Sequence, residues 1–116
     1  MQQVYWACFE GSETGAAPGI AARAVSAEAL SAPGQVGAPA EWSGTAVCAA
    51  GSGFEAYPVL AQIPGIVLTA TFGHLRPRAF EIAQLAALDG LGAAVTAEQA
   101  QPVYLRDEVA TLPARN

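Results

Sequence analysis

Residues 45–62 read TAVCAAGSGFEAYPVLAQ, and their reading decides the fold class. Thr45 to Ala50 form an unbroken run of small apolar residues bounded by Gly44 and Gly51, which predicts a strand buried on both faces. Gly51-Ser52-Gly53 then leads into FEAYPVLAQ, a strand-to-helix turn of the glycine-rich kind that lets a backbone approach a phosphate or nucleotide. The same glycines serve equally well as a tight turn with positive φ. Both readings stand at this point, with Gly51, Ser52 and Gly53 as the candidate nucleotide contacts.

Upstream, Gln3 to Glu10 (QVYWACFE) are rich in β-branched and aromatic residues and predict a strand. Gly11 to Gly19 form a turn-rich connection, and Ile20 to Val25 alternate as a second strand pairing with the first. Ser26 before AEAL, with Glu28 near the positive end of the dipole, predicts a capped helix of about two turns stopped by Pro33-Gly34. Residues 32–44 are expected as loop or short helix. Downstream, Gly65 to Thr71 predict a short strand. Pro77 stands at a helix start, and Phe80, Ile82, Ala83, Leu85, Ala86, Ala87 and Leu88 supply an apolar helical face ended by Asp89-Gly90. Thr96-Ala-Glu-Gln predicts a capped turn, Pro102 to Arg106 an extended segment, and the remainder to Asn116 a loose tail. The order of elements is that of an α/β domain, a mixed sheet flanked by helices.

A length of 116 residues accommodates one compact domain and one core. Hydrophobic residues make up 53% of the chain and charged residues 13%, with alanine a large part of the apolar count, so the core is expected to be thin, and part of the apolar surface to be covered by a partner. Ten carboxylates face five arginines and no lysine, a net charge of −5, which excludes a broad basic face and direct nucleic-acid binding. Cys8 and Cys48 lie in apolar runs and are expected as free, buried core thiols of a reducing cytosol, pairing being the alternative. With no CxxC and a single histidine, no zinc pattern exists. No membrane span and no signal peptide is read, so a cytoplasmic protein is expected.

Catalytic candidates are few. His74, in FGHLRPR, is the only histidine, and an isolated loop histidine more often lies at the surface or caps a helix than acts as a base. Arg76 and Arg78 with His74 form a small basic cluster able to hold one anion, or else to engage in solvated salt bridges. No nucleophile elbow, carboxylate dyad or phosphate loop with its lysine is present.

Three segments in order carry a family resemblance. Pro102 to Ala110 (PVYLRDEVA), Met1 to Ala7 (MQQVYWA) and Val47 to Pro58 with GSGFEAYP resemble, respectively, the ending, a strand following an Asp-Ala-Arg segment, and the Gly-x-Gly…Tyr-Pro turn of the TsaB (YeaZ) family, long described as glycoprotease-like. The resemblance implies one lobe, the C-terminal one spanning residues 1–110, of the actin, sugar-kinase and heat-shock ATPase fold (ribonuclease H-like). It lacks its first strand and its N-terminal lobe, and residues 111–116 form the loose tail. The implied role is that of a non-catalytic scaffold and activator in tRNA threonylcarbamoyladenosine synthesis, without cofactor, acting with TsaD and TsaE. A nucleotide-binding lobe and a peptidase are the alternatives. The positions that match family motifs are Tyr5, Trp6, Gly51, Gly53, Tyr57, Pro58, Pro102, Val103, Tyr104, Leu105 and Arg106. Most are read as structural, with Tyr104 and Leu105 anchoring the tail and Arg106 capping a helix or pairing with a carboxylate. The strand edge at residues 3–10, left open by the absent strand, is expected to pair with a second copy.

Overall fold

A computed structural model describes residues 2–11, 22–89 and 94–106. The loop residues 12–19, the glycine stop at Gly90 and the tail 111–116 therefore lie outside the described residues.

The first predicted strand is present but broken. It forms β1 (Val4–Trp6) and β2 (Phe9–Gly11), the return strand is present as β3 (Ala22–Ala24), and a further strand, β4 (Ala29–Ser31), lies where a helix was expected. β2 pairs antiparallel with β3, Glu10 opposite Arg23, and β1 pairs antiparallel with β4, Tyr5 opposite Leu30. Between the two ladders, Ala7 and Cys8 face the longer stretch Val25 to Glu28, which bulges. Ser26 seals the bulge: the Cys8 amide donates to its Oγ at 2.9 Å, and the Val25 amide donates to the Cys8 carbonyl at 2.9 Å.

The helix expected after Ser26 is thus replaced by extended chain. Two turns are too short to stand alone in water, and the Ser26 oxygen that was to cap them is occupied by the Cys8 amide. Across the hairpin, the Trp6 indole N–H donates to Ser31 Oγ at 2.9 Å, and the Arg23 guanidinium donates to Glu10 at 3.0 Å.

Residues 32–44 carry two short 3-10 turns, Pro33–Gln35 and Ala40–Trp42. The next strand is β5 (Ala46–Ala50), parallel to β6 (Val67–Phe72), with an irregularity between Val47 and Cys48. A parallel pair needs a crossover, which is provided by α1 (Gly53–Ala56) and a 3-10 turn, Pro58–Gln62. The last helix, α2, covers Ala79–Asp89, so Pro77 precedes it and does not occupy its first position. Thr96 then opens the short turn Ala97–Gln99, its amide donating to Gln99 Oε1 at 3.3 Å, as the capped-turn pattern predicts.

The result is a small α/β domain, but the expected single mixed sheet is instead three two-stranded ladders, β1–β4, β2–β3 and β5–β6. Burial is correspondingly scant. Among the described residues the buried hydrophobics are Val4, Val36, Ala49 and Leu60, and the packed cluster is Val4, Val36 and Leu60 with Trp6, Phe54, Tyr57 and Ile63 against it.

Two burial expectations are corrected here. β5 is not covered on both faces, since Ala49 alone of its residues is buried. Neither cysteine is a core thiol, for Cys8 is half-buried and Cys48 exposed, although both are free. The helical face on α2 is present, yet Phe80, Ile82, Leu85 and Leu88 on it are all exposed, Phe80 by 67%.

Leu60, at 3% exposure, is the deepest side chain described. Truncation in so small a cluster leaves little to collapse into the gap. Leu60→Ala is expected to cost about 2–5 kcal/mol, whereas Val59→Ala, beside it but exposed, should stay within about 0.5 kcal/mol, both read from urea unfolding midpoints.

Candidate functional site

The crossover that begins at Gly51 places its turn at one end of a cleft. Gly51 has φ +116°, a left-handed conformation that glycine adopts without strain, and its amide donates to the Phe72 carbonyl at 3.2 Å, fastening the turn to β6. Gly53 lacks positive φ and answers a different demand. A Cβ there would meet Leu60 Cδ1 at 3.2 Å and Val4 Cγ1 at 3.4 Å, so glycine lets α1 approach the hairpin and close the cluster.

The cleft has a volume of about 550 Å³. It is lined by residues 4–9, 36–38, 47–54 and 75–77, with Trp42, Leu60, Ile63, Ile66 and Leu68. A smaller recess of about 240 Å³ lies at its end, lined by Gln3, Val4, Tyr5, Ser52, Gly53 and Ala56. Gly51, Ser52 and Gly53, the candidate nucleotide contacts, thus line the cleft wall. The helix behind them has only four residues, so it concentrates little dipole on an anion.

The basic cluster near His74 is consumed locally. Arg76 donates to Glu55 Oε2 at 3.1 Å, and also to the Gly73 and Leu75 carbonyls at 2.6 and 3.1 Å, tying the β6–α2 link to α1. Arg78 is paired with Glu81 through its Nε and Nη2. His74 sits edge-on to Phe72 with ring centroids 6.4 Å apart. The three side chains therefore do not converge, and solvated ion pairing describes both arginines.

The residues carried by the family resemblance fall into two groups. Trp6 and Tyr57 are half-buried and pack on the cluster, with Pro58 starting the 3-10 turn beside it. Tyr5 is exposed. At the other end, the expected anchoring of the tail is corrected: Tyr104 is 74% exposed and Val103 is exposed, leaving only Leu105 half-buried. Arg106 donates to Gln3 Oε1 at 2.9 Å, a partner the sequence reading did not name, and among the described residues no carboxylate pairs with it. That contact is the polar tie between residues 102–106 and the start of the chain, and a glutamine before an apolar strand gives no sequence signal for it.

Sequence reasoning also missed the role of Glu10. It accepts from Arg23 and, at 3.3 Å, from the Trp42 indole N–H, linking the hairpin to the segment that precedes β5. Among the described residues no three histidine, cysteine or acidic side chains come together as a metal site. No helix among them is long and apolar enough to cross a membrane.

At the start of α2, hydrogen bonding from Arg78 holds the Glu81 carboxyl below its usual range, and the same bond raises the Arg78 guanidinium. A lowered folded-state pKa contributes stability that is present above the unfolded carboxylate value, about 4.3, and is lost as pH falls through the folded one. Urea unfolding of Glu81→Gln followed from pH 7 downward should show a weaker loss of stability in the acid range than the wild type. Parallel curves would remove Glu81 from the acid response.

The chain matches no family model, and no curated protein matches it. Among solved structures, it is similar to one described as an uncharacterized protein with similarity to peptidase YEAZ from Pseudomonas aeruginosa, at 30% identity and a TM-score of 0.71 over 91% of this chain. The chain spans 45% of that protein's length, so the likeness is to a YEAZ-like α/β architecture and covers less than half of the molecule that carries it.

Proposed function

We propose that this chain is one lobe of a TsaB-like scaffold, a non-catalytic partner of TsaD-type and TsaE-type proteins in threonylcarbamoylation of the adenosine at position 37 of tRNA, working in the cytosol. The observation that carries the reading is the likeness to the YEAZ-like structure along nearly the whole chain, joined to the ordered segments at residues 1–7, 47–58 and 102–110. The lobe is residues 1–110, with 111–116 as its tail.

A scaffold role also accords with the surface. Phe9, Phe72, Leu75, Phe80, Ile82, Leu85 and Leu88 are all exposed, and apolar area of this extent is characteristic of proteins that work in assemblies. The acidic net charge of −5 disfavours direct contact with the tRNA backbone, so the nucleic acid belongs to the partners. Among the described residues no three histidine, cysteine or acidic side chains gather as a metal-binding set of the kind a metallopeptidase uses.

Depleting the protein in its host and quantifying modified nucleosides of total tRNA by mass spectrometry tests this reading. Threonylcarbamoyladenosine is expected to fall, to be restored by re-expression. An unchanged level after full depletion would contradict it.

A further inference from the structure

We draw no further inference here: the strongest candidate, the exposed apolar face of α2 at Phe80, Ile82, Leu85 and Leu88, carries nothing because nothing in the structure shows what covers it.

Discussion

The contact on which the structure depends is the meeting of Val4, Val36 and Leu60. It joins the hairpin, the turn after Pro33 and the crossover between β5 and β6, elements that otherwise have little to hold them together. Gly53 is the condition for it, because any side chain at that position would press on both Leu60 and Val4. The polar ties arrange themselves around this junction. Trp6 to Ser31, Trp42 to Glu10 and Arg76 to Glu55 each bind one neighbouring segment to the next, and the latter two, being exposed, orient the segments more than they stabilise them.

So small a junction leaves the domain's apolar surface unfinished. Folding a chain of this length is opposed by conformational entropy that only extensive burial offsets, and here burial is concentrated in a few side chains while the helical face on α2 remains accessible. Alanine-rich composition contributes to this, since alanine adds little buried area per residue.

What the sequence revealed and what it concealed follow the range of the interactions. The strand Ala46–Ala50, its glycine turn, the strand Val67–Phe72, the helix Ala79–Asp89 and the capped turn at Thr96 are legible because their signals are local: apolar runs, glycines, a helical period and a side-chain cap; the parallel pairing of the two strands is not. The segment after Ser26 was misread because its local signal, a cap followed by AEAL, competes with a tertiary one, the unpaired edge of β1 and the Cys8 amide, and the tertiary one prevails. The burial expected of Cys48 and Tyr104 failed for a related reason: an apolar neighbourhood in sequence states what a residue can pack against, not whether this chain supplies it. The cleft itself has no sequence signature, because its walls come from segments some forty residues apart.

The central claim is that these residues form an ordered domain whose apolar surface is incomplete. Binding of an environment-sensitive hydrophobic dye, measured together with near-ultraviolet circular dichroism from Trp6 and Trp42, tests it most directly. Strong dye fluorescence together with a well-developed tryptophan dichroism signal is expected under native conditions. An ordered dichroism signal without dye binding would show instead that the apolar surface is already closed.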